Sequence, residues 1–164
     1  MRKLFIPLIF ALLSESLMAS EAYKDLETQV TEKASLAVAQ MNDRAAGKLD
    51  YSEESLYAVE EMAAEAAQYK DQLDPATVDS LTQLLGSYIL EVAHRKHGGS
   101  YVWLESENSP ALVVGEPEYR LALSTFAKVH GRLSGDEADN LIFFYQGFSE
   151  RLKSPSPGMS ALYK

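Results

Sequence analysis

Between residues 21 and 46 the apolar positions Leu26, Val30, Ala34, Ala37 and Met41 recur every three or four residues. That spacing collects side chains on one face of a helix, and Gly47 supplies the stop that glycine commonly provides. A second stripe, Leu56, Val59, Ala63, Ala66 and Leu73, follows Ser52, whose hydroxyl suits an N-cap, with Tyr51 and Leu56 placed for a hydrophobic staple. A third helix opens at Asp74-Pro75, where aspartate caps the free amides and proline at the first helical position loses nothing. Its inner face reads Val78, Leu81, Leu85, Tyr88 or Ile89, and Val92. His94-Arg95-Lys96-His97 put cations at the negative end of its dipole before Gly98-Gly99 ends it. Gly86, in the middle of this helix, predicts a close approach by another element.

The period then changes to two. Ser100–Glu105 and Ala111–Val114 read as a hairpin around the turn Ser106–Pro110, and Tyr119–Leu123 reads as a third strand. Phe126–Leu133 predicts a short helix. Ser134-Gly135-Asp136-Glu137 matches a capping box, which predicts that a final helix opens there, lined by Leu141, Phe144, Tyr145, Phe148 and Leu152. Pro155 and Pro157 end it, and 154–164 reads as a flexible tail. The expected fold is α+β: N-terminal helices packed on a small antiparallel sheet, with a C-terminal helix, in one domain over 23–153.

Residues 1–22 are expected to stand outside that domain. Met1-Arg2-Lys3 is basic, Leu4–Leu13 is an apolar run too short to span a bilayer as a helix, and Ala19, Ser20 and Ala22 offer small residues for cleavage. This predicts a signal peptide and a periplasmic or secreted mature protein, with no stable membrane anchor after cleavage. The chain holds no cysteine, which excludes disulfides, thiolate metal sites, a cysteine nucleophile and a lipidated cysteine at the cleavage site. The formal net charge is −9, which argues against nucleic acid as a partner. The charge is uneven: residues 20–80 carry 14 acidic and 5 basic side chains, against 9 and 8 over 81–164. An acidic N-terminal half suits a basic protein partner, since complementary charge speeds association.

Candidate chemistry is sparse. Glu91, His94 and His97 recur at steps of three, so a helix would point all three to one side, a set suited to zinc. The alternative is a basic helix end beside an exposed glutamate; zincin motifs place two histidines four apart around a glutamate, and that pattern is absent. Gly-x-Ser-x-Gly and Gly-x-x-x-x-Gly-Lys are also absent. Adjacent carboxylates such as Glu53-Glu54 and Glu60-Glu61 point about 100° apart on a helix, which suits a solvated face better than an acid–base pair. No catalytic set, cofactor or metal is therefore expected. The expected partner-binding residues are Glu53, Glu54, Glu60, Glu61, Trp103 and Phe143. Trp103 shares a strand face with Tyr101, as a core anchor or an interface hot spot. In Leu141–Tyr145 apolar residues run all round the helix, which predicts either full burial or an apolar strip offered to a partner.

The stretches Leu84-Leu85-Gly86-Ser87-Tyr88-Ile89-Leu90-Glu91-Val92, His97-Gly98-Gly99, Trp103, Lys128-Val129-His130-Gly131-Arg132-Leu133 and Asp139-Asn140-Leu141-Ile142-Phe143-Phe144 carry a resemblance. Over about residues 50–152 the chain resembles uncharacterised exported bacterial α+β domains, some of which look like immunity proteins of toxin systems. The resemblance implies an α+β architecture and no catalytic residues. The expected function is an exported protein-binding module, an inhibitor or immunity protein that masks an envelope-acting toxin or enzyme. The alternative is a small periplasmic metal-binding protein or hydrolase that uses Glu91, His94 and His97.

Overall fold

A computed structural model describes residues 26–164. The expected signal peptide lies outside the described residues. The described part of helix α1 runs over 26–41. It is followed by α2 (Ser55–Gln68), a 3-10 turn (Lys70–Gln72), α3 (Pro75–His97), strands β1 (Ser100–Leu104), β2 (Ser109–Val114) and β3 (Arg120–Leu123), α4 (Phe126–Leu133), a second 3-10 turn (Glu137–Asp139), α5 (Leu141–Lys153) and β4 (Ser160–Tyr163). The α+β class is as the hydrophobic pattern predicts.

α3 is the centre of the molecule. It starts as expected: the Asp74 carboxylate accepts from the Thr77 amide at 3.0 Å, and Pro75 follows at the first helical position. From Leu84 to Ala93 every residue is buried, so the second half of this helix is enclosed on all sides rather than along one face. α1 lies along it, burying Val30, Ala34 and Ala37, and Lys33 Nζ donates to Gln83 Oε1 at 2.7 Å. α4 crosses it at Gly86. A Cβ there would stand 2.9 Å from the Phe126 ring, and Thr125 Oγ1 donates to the Gly86 carbonyl at 2.8 Å. The mid-helix glycine is thus explained by close contact, as its cost of about 1 kcal/mol relative to alanine requires.

The sheet has the order β1-β2-β3-β4. β1–β2 and β2–β3 are antiparallel. Tyr101, Leu112, Leu123 and Tyr163 share one register row, and all four pack on the helical core. β4 corrects two expectations. Residues 160–163 are a strand, not part of a flexible tail, and they pair parallel to β3, so the sheet is mixed rather than antiparallel. The physical reason is a period of two: Ala161 and Tyr163 turn toward the core while Ser160 and Leu162 face out. Gly158, with φ 73°, makes the turn, and its amide donates to the Glu118 carbonyl at 2.8 Å. The Tyr163 ring meets Phe148 edge-on at 5.8 Å.

Two helix starts also differ. α2 begins at Ser55, although Ser52 Oγ does accept from the Ser55 amide at 3.2 Å, so the cap chemistry precedes a tight first turn. The Ser134 capping box opens no long helix. Ser134 Oγ donates back to the His130 carbonyl and closes α4, and Gly135, at φ 94°, turns the chain away. The cap of α5 is Asn140, whose Oδ1 accepts from the Ile142 and Phe143 amides at 3.0 Å each.

The Gly86 contact is testable. G86A should cost about 1–2 kcal/mol, since overpacking against a buried ring (1–3 kcal/mol) exceeds the gain in helix propensity. A thermal melt should show a Tm several degrees lower; an unchanged or raised Tm would contradict the contact.

Candidate functional site

The start of α2, the end of α3 and one face of α5 enclose an open cleft of about 570 Å³. Tyr51, Glu53, Glu54 and Tyr57 form one wall, Arg95 and Lys96 the floor end, and Ile142, Tyr145, Gln146 and Ser149 the other wall. The first wall is held in place by a buried relay. The Tyr51 amide donates to Tyr88 OH at 2.9 Å, Tyr88 OH donates to Ser55 Oγ at 2.7 Å, and Ser55 Oγ donates to the Ser52 carbonyl at 2.6 Å. Tyr51 adopts φ 65°, a left-handed conformation that costs a non-glycine residue about 1–2 kcal/mol. The Tyr51 ring stacks on Tyr88 at 5.1 Å, and the Arg95 guanidinium lies 3.7 Å above its centroid, which helps hold that conformation.

Glu53 joins the three elements. Its Oε1 accepts from Tyr145 OH at 3.0 Å and from Ser149 Oγ at 3.4 Å, and lies 3.8 Å from His97 Nε2. Its Oε2 lies 3.2 Å from Lys96 Nζ. Burial would push the Glu53 pKa up, but the hydrogen bonds from Lys96 and Tyr145 and the charges of Lys96 and His97 outweigh it, and the carboxyl sits below its ordinary value. Burial, then the neighbouring Glu53 charge, drives the Tyr145 phenol well above its ordinary value, so it stays a donor. Burial pulls His97 below its ordinary value against the attraction of Glu53, with Lys96 adding to the lowering. At neutral pH the site is therefore an anionic carboxylate among a phenol, a neutral imidazole and one ammonium.

The structure sorts the expected partner-binding residues into two sets. Glu53 and Glu60 face inward. Glu60 Oε1 lies 2.7 Å from Arg132 Nε, and its Oε2 accepts from the Leu141 amide at 2.9 Å, so this carboxylate ties α2 to α4 and to the N-terminus of α5. The expectation of a solvated carboxylate face is corrected for these two. Glu54 and Glu61 are exposed, as is Tyr57, at 55%. Phe143 is 75% exposed, so the α5 apolar run is not fully buried. It points away from the core because Leu141, Ile142, Tyr145 and Phe148 already fill the buried side of α5. Trp103 is 46% exposed near the far end of β1, opposite Pro110; it is not a core anchor, and it does not line the cleft.

The Glu91, His94 and His97 set does not assemble. Glu91 is buried and committed: it accepts from Arg95 Nε at 2.7 Å and from Tyr101 OH at 3.0 Å. His94 Nδ1 stands 3.9 Å from it, whereas His97 turns to Glu53 and Tyr145. Among the described residues no three His, Asp or Glu side chains are placed to hold a metal ion. Sequence reasoning passed over Tyr57, Lys96 and Ser149. Tyr57 had a signal: it interrupts the acidic positions Glu54 and Glu61 at three and four residues, which makes one exposed stripe.

No family model, curated protein or solved structure matches the chain.

Both His97 and Glu53 have folded-state pKa values below their ordinary ones. Each therefore contributes stability that is present at higher pH and lost on acidification, His97 starting near its ordinary 6.5 and Glu53 near 4.5. The urea midpoint of the wild type should fall between pH 6.5 and 5, and H97Q should fall less over that window. Parallel profiles for the two proteins would contradict the assignment.

Proposed function

We propose that this protein is an exported, periplasmic binding module that recognises a protein with a basic surface and masks it, as an inhibitor or immunity protein masks an envelope-acting toxin or enzyme. The observation that carries the reading is the pairing, beside the cleft, of exposed aromatic side chains with carboxylates that have no partner among the described residues. Tyr57 stands between Glu54 and Glu61 on α2, and Phe143 extends from α5 next to the cleft-lining Ile142. Large aromatic groups on rigid helices are the usual anchors of protein interfaces, and a polar rim around them excludes water. A helix end that leaves a phenyl ring three-quarters exposed gains nothing for folding. The acidic half of the chain adds long-range attraction for a basic partner. Export rests on the basic Met1–Lys3 and apolar Leu4–Leu13.

The test is affinity capture from an envelope extract, comparing the wild type with Y57S/F143S and W103S. The wild type and W103S should retain one partner. Loss of two anchors of about 2 kcal/mol each should remove it, a weakening of about 700-fold if the two losses add. No specific partner, or one that Y57S/F143S retains, would overturn the reading.

A further inference from the structure

The charges that line the cleft are nearly all spent within the protein. Lys96 lies on Glu53 and Glu150 on Lys153. Arg95 is held by Glu91 and by the Tyr51 ring. Glu54 is different: it lines the cleft, is exposed, and its carboxylate has no ion pair and accepts no hydrogen bond among the described residues. Tyr57 follows Glu54 by three residues and Glu53 by four, so its ring stands on the same flank of α2. Among the described residues no cation lies over that ring; the cation–ring contacts there are Arg95 on Tyr51 and Lys128 on Phe144. An unpaired carboxylate beside an uncovered aromatic face, at the mouth of an open cleft, is the chemistry of an organic-cation site. An anion would meet Glu54 while both nearby cations are already engaged.

We propose that the cleft accepts a lysine or arginine side chain of the partner, its charge between Glu54 and the Tyr57 ring, and that this side chain displaces Lys96 from Glu53. Lys96 is suited to yield. Its side chain is 57% exposed, and an ion pair so open to water is worth little. Arg95 over Tyr51 shows, on the same wall, how a cation lies against a tyrosine here. The Tyr145 hydroxyl still donates to Glu53, and the incoming cation takes the place of the Lys96 charge, so the carboxylate remains ionised. The inference deepens the binding reading above and names the group that the site recognises.

The test is an NMR titration of the whole protein with Nα-acetyl-lysine methylamide, Nα-acetyl-arginine methylamide and the uncharged norleucine counterpart. The two cationic probes should shift the amide signals of Glu54, Tyr57 and Lys96 saturably, and the norleucine probe should not. E54Q, a change on an exposed side chain, should weaken binding about fivefold, the scale of one exposed ionic contact. K96Q should tighten it, by about two- to fivefold, because it removes the competitor. Equal shifts with norleucine, no shift at about 50 mM of either cation, an unaffected E54Q, or a K96Q that does not tighten would each overturn the proposal. These outcomes separate from the capture experiment: a partner held through Tyr57 and Phe143 would survive failure of the titration, and a positive titration would survive failure to find a masked partner.

Discussion

Tyr145 and Ser149 from α5 and Lys96 and His97 from the end of α3 all meet one carboxylate, that of Glu53 at the entrance to α2. α2 and α5 are far apart in sequence and each has an exposed face, so packing alone leaves their angle to the enclosed α3 loosely held. An ionised acceptor met from two directions fixes it, because the buried Tyr145 hydroxyl and the mostly buried His97 ring would otherwise lose their carboxylate neighbour. Glu60, two helical turns further along α2, does the same on the other side: it holds Arg132 of α4 and a free amide at the start of α5. α2 and the turn that enters it thus carry two carboxylates, seven residues apart, that clamp the C-terminal helices. The cleft is the gap that this clamp keeps open.

The clamp works because α3 is rigidly placed. A helix enclosed from Leu84 to Ala93 has few ways to move, and Gly86 lets Phe126 sit directly on its backbone. Its last turn therefore delivers Lys96 and His97 to a defined position before Gly98 and Gly99, both at positive φ, turn the chain into β1. The buried relay from Tyr88 to Ser55 and Tyr51 sets the opposite wall from the same helix. Both sides of the site are thus built on one central element, with the sheet closing the core behind it.

Local rules were legible where one residue acts on its own backbone. Asp74-Pro75 as a helix start, Gly98 as a stop, the three successive strands and the short helix over Phe126–Leu133 all follow from period and capping. The Ser134 box misled because the same residues can close one helix or open the next, and Gly135 decides for closure. β4 was missed because a four-residue strand after two prolines has almost no pattern of its own, and its place depends on β3 being there to receive it. The roles of the glutamates were half legible. Glu53 and Glu60 lie three before and four after Leu56, beside the apolar stripe, whereas Glu54 and Glu61 lie off it. The spacing separates the two pairs, but Tyr145, Arg132 and Lys96 come from elements that no local rule brings to them.

The functional proposal depends on that separation. Glu60 and the Tyr145 contact of Glu53 hold the wall; left for a partner are Glu54 and Glu61, which have no side-chain partner among the described residues, the exposed Tyr57 and Phe143, and Glu53 only by exchange for Lys96. The most direct measurement is a double-mutant cycle between E53Q and Y145F, read by urea unfolding. If Glu53 is the joint that sets the cleft, the two losses should be coupled by about 1.5 kcal/mol, the lower end for a hydrogen bond to a charged group, as suits a carboxylate still partly in water. Losses that simply add, within about 0.3 kcal/mol, would contradict the account.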